Sequence, residues 1–284
     1  MNKFLLLIVV VLMVAKVNAA GRSDPVASIA IIIDDLGNNL SLGRRAIELP
    51  GPLGFAILPQ RPQTTALANY AHQMNREVIA HIPMDNRENK RLGPGALTTD
   101  MSHNAFNQSL LASIESIPHL QGVSNHMGSL LTEDGEHMDW LMATLSELSL
   151  YFVDSRTSKE TVAHQTARRH QLPSLERDVF LDNQTHYEAI DHQFNRLLKL
   201  ARLNGSALAI GHPYPSTLAY LKNALPKLNA QGIRLVSPSQ LVTLQAAQHQ
   251  APQNSSPQHT PVEGAPIALC TLTESTYIIQ ANCL

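Results

Sequence analysis

At six points in this sequence a short apolar run carries a carboxylate or an imidazole at or near its C-terminal end. Asp34-Asp35 close the run 27–35, His81 lies in 77–84, and Asn125-His126 close 122–126. Asp154 lies in 151–155, Asp182 closes 179–182, and His212 closes 206–212. Two adjacent carboxylates ending an apolar segment are costly unless a cation or a proton offsets them. Carboxylate oxygens and imidazole nitrogens arriving together form a donor set for a hard or borderline divalent ion with open positions. Each residue alone has a plainer use. Asp34 or Asp154 could cap a helix, His81 could mark a strand exit before Ile82-Pro83, His126 could bond to backbone, and His212 before Pro213 could belong to a turn. The argument for chemistry rests on convergence. His72, His103, His137 and His192 fall in helical or loop segments and read as solvated surface.

The elements that must position these groups follow from the apolar pattern. Strand-like runs at 27–35, 53–58, 77–84, 122–126, 151–155, 179–182, 206–212 and 233–236 are short and nearly continuous, as in strands buried on both faces. Between them, 64–74, 104–117, 138–148, 187–203 and 216–228 have helical apolar spacing, with a weaker candidate at 161–170. Such alternation predicts an α/β fold with a parallel sheet, and seven to eight units suffice for a (β/α) barrel, distorted or missing one strand. An open doubly wound sheet is the alternative. In a barrel the C-terminal strand ends meet at one mouth, which places the six sites together. No G-x-G-x-x-G or P-loop follows any of the runs, which removes the usual nucleotide-binding readings.

The 284 residues carry 21 basic and 23 acidic side chains, a formal net charge of −2 that gives no electrostatic argument for nucleic acid. Asn2-Lys3, the apolar run 4–15 and Val17-Asn18-Ala19 have the layout of a signal peptide over 1–20, which predicts export to the periplasm and no transmembrane span after cleavage, with an uncleaved membrane anchor the lesser alternative. The domain is expected over 27–243. Residues 244–266, rich in Gln, Ala, Pro, Ser and His, read as a flexible linker, and 267–284 as a tail through which a partner protein could dock. Both cysteines, Cys270 and Cys283, lie in that tail, where oxidising conditions would let them pair.

Ile31-Ile32-Ile33-Asp34-Asp35-Leu36-Gly37 resembles the paired-aspartate motif that opens polysaccharide deacetylases. Together with Ala80–Met84, Asn125–Ser129, Phe152–Thr157 and Ile210–Pro215 it resembles the divergent polysaccharide-deacetylase family, typified by small exported proteins of Gram-negative bacteria, over roughly residues 27–244. The resemblance implies that Asp35 binds the metal, that Asp34 is the general base and that His212 is the general acid. His81 matches the first histidine of an H-x-x-x-H metal motif, but the residue four positions on is Asp85. The third ligand is expected elsewhere, at His126 on the next strand end, with Asp85 itself the lesser alternative. Asp182 or Asp154 is expected to hold the second ring nitrogen of His212. Asn125, Ser129 and Tyr214 are expected to bind substrate.

By the same resemblance the protein is a metal-dependent hydrolase, with zinc the expected ion. It would remove acetyl groups from an envelope carbohydrate or peptidoglycan-related substrate. The competing expectation is a non-catalytic periplasmic protein that binds a glycan or a partner on a deacetylase-like barrel, which the altered H-x-x-x-H motif favours.

Overall fold

The computed structural model describes residues 27–250. The segment 1–20, the linker residues 251–266 and the tail with Cys270 and Cys283 lie outside the described residues.

The strands are β1 (Ala27–Leu36), β2 (Gly54–Ile57), β3 (Glu77–Met84), β4 (Leu120–Met127), β5 (Tyr151–Asp154), β6 (Ser174–Glu176), β7 (Val179–Phe180), β8 (Ser206–Gly211) and β9 (Ile233–Leu235). The helices are α1 (Leu40–Ile47), α2 (Thr64–Gln73), α3 (His103–Glu115), α4 (Gly135–Glu147), α5 (Ala163–Arg169), α6 (Tyr187–Asn204), α7 (Pro215–Ala224) and α8 (Pro238–Gln250). Every ladder is parallel, in the order β6-β5-β4-β3-β2-β1-β8-β7, with β9 also on β1. This is the expected β/α barrel rather than an open doubly wound sheet.

The barrel's incompleteness has a local cause. Strands β6 and β7 stand at opposite ends of the strand order, yet only Arg177-Asp178 separate them in the chain. Two linking residues span at most ~3.6 Å each, so the sheet must curl until its edges meet. The link is stitched to both sides: the Arg177 N–H donates to the Asp154 carbonyl at 3.0 Å, and the Asp178 N–H donates to the Leu208 carbonyl at 3.0 Å. No ladder joins β6 to β7 among the described residues, so the ring has a seam there.

Strand parity divides the interior in two. Ile29, Ile31 and Ile33 of β1 pack outward among the helices, with Phe55, Val123, Phe152 and Leu181. Ala30 and Ile32 face a second cluster inside the barrel, with Ala56, Ile79, Val153, Leu208 and Ile210. Successive strand residues point to opposite faces, so the cluster to which a neighbour belongs fixes the direction of each polar residue.

Helix α8 covers the N-terminal ends of the strands. Leu241 joins the inner cluster, and the Ser239 N–H and hydroxyl donate to Glu77 at 2.9 and 2.8 Å. The Tyr151 hydroxyl donates to the same carboxylate at 2.6 Å. This corrects the expectation for 244–250, which continue α8 rather than begin a linker. Two further elements are too short to stand out in the sequence: β6, three residues long, and α1, eight residues with Gly43 inside. The Asn39 side chain caps α1 by accepting from the Leu42 N–H at 3.0 Å, and Ala46 and Ile47 anchor the helix in the outer core. The segment 216–228 is one helix only to Ala224, after which Pro226 lies in a 3₁₀ turn.

Candidate metal centre

Both aspartates reach the mouth because β1 is irregular at its end. In a regular strand Asp34 and Asp35 would face opposite sides. Here the register with β2 shifts between Ile33 and Leu36, and Asp35 adopts φ 62°, a left-handed conformation uncommon outside glycine. Asp34 stays on the inner face next to Ile32, 2 % exposed, while Asp35 is half-buried beside it. Backbone strain of this kind concentrates at functional sites.

His81 and His126 come from the adjacent strands β3 and β4. His81 Nε2 lies 3.3 Å from Asp35 Oδ1 and 3.4 Å from Asp34 Oδ2. His126 Nδ1 lies 2.8 Å from Asp35 Oδ1. Asp35, His81 and His126 each offer one ligand atom, and these atoms lie within 4.8 Å of one another. The neighbour of His81 in the β3–β4 register is Ser124, whose Oγ is 2.7 Å from His81 Nδ1. With Nδ1–H donated to that hydroxyl, Nε2 presents its lone pair to the centre.

The opposite wall is His212, after β8. Its Nδ1 is 2.9 Å from Asp182 Oδ1, and its Nε2 is 3.8 Å from Asp35 Oδ2. Asp182 is buried and also accepts from the His212 N–H at 2.6 Å and the Thr217 hydroxyl at 2.8 Å. The imidazole stacks on Phe180 at 5.3 Å, and the Arg177 guanidinium also lies over that ring, 4.7 Å from its centroid.

The electrostatics separate the two aspartates. Burial pushes the Asp34 carboxyl up, only partly opposed by the nearby histidines. Burial also works to raise Asp35, but contact with His126 and His81 outweighs it and holds that carboxyl well below the usual range. Burial opposes the charged form of His81, yet Asp34 and Asp35 raise it. For His212 burial is likewise overcome, by Asp182 first and then by Asp34 and Asp35, and its pKa rises to about 8.

The donor set fits a divalent cation. Asp34 Oδ1 is buried without a hydrogen-bond partner, and Asp35 Oδ1 receives no aligned hydrogen bond despite two ring nitrogens nearby. Buried carboxylate oxygens left in this state are what a bound ion would satisfy.

Three expectations for site residues are corrected, two of them by parity, and one for a histidine outside the site. Val153 faces the inner cluster, so Asp154 points outward, accepting from the Arg156 N–H at 2.8 Å and the Thr161 hydroxyl at 2.9 Å; it is not a partner of His212. Asn125, between inward Ser124 and His126, also turns outward. It is 1 % exposed, accepts from the Ser155 N–H and donates to the Met127 carbonyl, so it rivets two loops instead of meeting substrate. Ser129 accepts from the Arg87 N–H and donates to Glu88, and so holds a neighbouring loop. Asp85 accepts from the Asn86 N–H and from Thr99, and it is not among the clustered ligand atoms of Asp35, His81 and His126. Outside the site, His137 is 6 % exposed and packs against Phe106 and Trp140 rather than standing in solvent.

Tyr214 does line the mouth, its ring 5.4 Å from His212, beside a cavity of about 210 Å³ that Asp35, His212, Leu42 and Pro215 also border. Sequence reasoning missed Ser124, Thr217, Phe180 and Arg177. Ser124 and Phe180 had a usable signal, since each lies two residues before a site residue on the same strand face. Thr217 and Arg177 had none.

Fold and site together define a β/α barrel with a candidate metal centre at the C-terminal ends of its strands. Residues 31–242 match the family model described as divergent polysaccharide deacetylase, and the chain belongs to that family. It is 34 % identical over 222 residues to the uncharacterized protein YibQ of Escherichia coli K12, covering 78 % of this chain and 69 % of that one. It is 34 % identical over 215 residues to an uncharacterized protein of Haemophilus influenzae Rd, covering 76 % of each. The fold is similar to the crystal structure of an uncharacterized protein from Agrobacterium tumefaciens C58, with a TM-score of 0.73, 21 % identity, and coverage of 76 % of this chain and 89 % of that one.

Proposed function

We propose that this protein is an exported, zinc-dependent hydrolase that removes acetyl groups from an envelope glycan. The observation that carries the reading is the convergence of Asp35, His81 and His126 ligand atoms within 4.8 Å, flanked by Asp34 on one side and an Asp182-held His212 on the other. The two-nitrogen, one-oxygen donor set suits zinc, and the family supplies the carbohydrate substrate class. The N-terminal pattern of residues 2–19 supports export and a periplasmic location.

An ion held by Asp35, His81 and His126 would polarise the acetyl carbonyl and ease deprotonation of water. Asp34 Oδ1, buried and unpartnered, is the acceptor for the water proton. His212 donates from Nε2 to the departing amine or alcohol, while Asp182 keeps Nδ1–H in place and stabilises the imidazolium. Tyr214 stands at the mouth as a surface for a sugar ring.

Elemental analysis and acetate release from acetylated glycan oligomers test the scheme. One zinc per chain is expected, lost in Asp35→Ala and His126→Ala. His212→Ala should keep the zinc while turnover falls by about 10²-fold or more. Full activity of metal-stripped protein sinks the scheme. The non-catalytic reading draws on one observation, Asp85 in place of the second motif histidine. A wild type that takes up no zinc would favour it.

A further inference from the structure

Next to Asp154 at the end of β5 stands a second polar residue, Ser155, to which the proposed chemistry gives no part. The parity that turns Asp154 outward turns Ser155 in. Val153 belongs to the inner cluster, and Ser155 is two residues further along the same strand face. Ser155 is 2 % exposed, and its Oγ is buried without a hydrogen-bond partner. Its backbone is held on both sides: the N–H donates to Asn125 Oδ1 at 2.8 Å, and the carbonyl accepts from Arg177 Nε at 2.6 Å. A buried hydroxyl without a partner carries a desolvation cost that nothing in this arrangement offsets.

Strand register identifies its neighbour. Ser124 pairs with Val153 in the β4–β5 ladder, so the next inward residues, His126 and Ser155, stand at one level on neighbouring strands. The β3–β4 ladder holds the same combination one strand earlier, with His81 opposite Ser124. There the serine Oγ is 2.7 Å from His81 Nδ1, and Nε2 faces the two aspartates. Each imidazole of the centre thus has a serine beside it on the following strand, yet only Ser124 is engaged. His126 directs its Nδ1 to Asp35 Oδ1 at 2.8 Å, and the opposite ring edge carries Cδ2, which offers a serine no hydrogen bond.

We infer that Ser155 is the positioning residue for His126 when the centre holds its ion: the imidazole makes a half-turn about Cβ–Cγ, donates Nδ1–H to Ser155 Oγ and presents Nε2 as the ligand atom, as His81 does through Ser124. The half-turn also releases Asp35 Oδ1 from His126, so that carboxylate oxygen and ring nitrogen become ligands together. Ser155 then decides which nitrogen of His126 is used, the part that groups behind a histidine ligand play. The inference rests on the proposed metal reading of the site.

The test is the zinc affinity of the full chain, by competition with a chromophoric chelator, together with the ring-nitrogen NMR spectrum of His126. Ser155→Ala is expected to weaken zinc binding about 10–100-fold. Its melting temperature without metal should equal that of wild type, because the hydroxyl has no partner there. Ser155→Thr, which keeps the hydroxyl, should recover most of the affinity. In zinc-loaded wild type the His126 ring is expected to carry its proton on Nδ1 and the ion on Nε2. An ion on Nδ1 overturns the assignment. So does a loss of metal-free stability in Ser155→Ala that accounts for the lost affinity, which would make Ser155 a packing residue. Should the added methyl of Ser155→Thr disturb folding, the nitrogen spectrum of wild type still decides. A wild type that takes up no zinc removes the metal reading and this assignment together, whereas zinc bound equally by wild type and Ser155→Ala overturns the assignment alone.

Discussion

Ser124 decides which nitrogen of His81 faces the centre. Its hydroxyl occupies Nδ1, leaving Nε2 on the side of Asp34 and Asp35, where a ligand would be held. Ser124→Ala should weaken zinc affinity about 10–100-fold, as loss of a group that orients a histidine ligand does; competition with a chromophoric chelator measures it. Asp154 and Asp182 offer a paired test, since both are buried aspartates near strand ends and only one touches His212. Asp182→Asn should lower turnover with zinc retained. Asp154→Asn should spare turnover and change the pH dependence of stability instead. Burial raises the Asp154 carboxyl, and nearby Glu176 adds to this, so the folded protein keeps that proton to a higher pH than the unfolded chain. The folded state then binds more protons across that interval, and this contribution to stability falls as pH climbs through it. Denaturant unfolding from the ordinary carboxylate range upward should show a shallower decline for Asp154→Asn than for wild type.

Among the elements, α8 and β1 carry the most consequence. Glu77 receives three hydrogen bonds at the barrel floor, from Tyr151 and twice from Ser239. Glu77→Ala leaves those donors unpaired beside the inner cluster and should cost about 3 kcal/mol or more in denaturant unfolding. This helix shows no apolar period in the sequence, because among the described residues its buried contacts are confined to Pro238 and Leu241, with Val242 and Leu244 partly buried. For β1 the apolar run and the aspartate pair were plain, but the irregularity that turns both carboxylates to one mouth was not. Parity excludes Asp154 and Asn125, since a strand residue next to an inward one, Val153 or Ser124, faces out. Applying it required knowing which face of each strand was the inside, and nearly continuous apolar runs hide that.

At the scale of the molecule, the metal centre draws on β1, β3 and β4, and the acid wall on β7 and β8, so its geometry depends on the curl of the whole sheet. Zinc binding should therefore report as global stability. At free zinc a thousandfold above the dissociation constant the folded state gains about 4 kcal/mol. Thermal melting with zinc and with a chelator should differ accordingly, and Asp35→Ala should abolish the difference.

The sequence by itself determined the alternation of strands and helices, the six polar strand ends and the resemblance that named the family, because these are local properties of residue type and spacing. Which of those ends meet was decided by tertiary structure. Asp35, His81 and His126 became neighbours, Asp182 rather than Asp154 took His212, and Asn125 turned away, because strand register, inward parity and the seam at Arg177-Asp178 are set by pairing between distant segments.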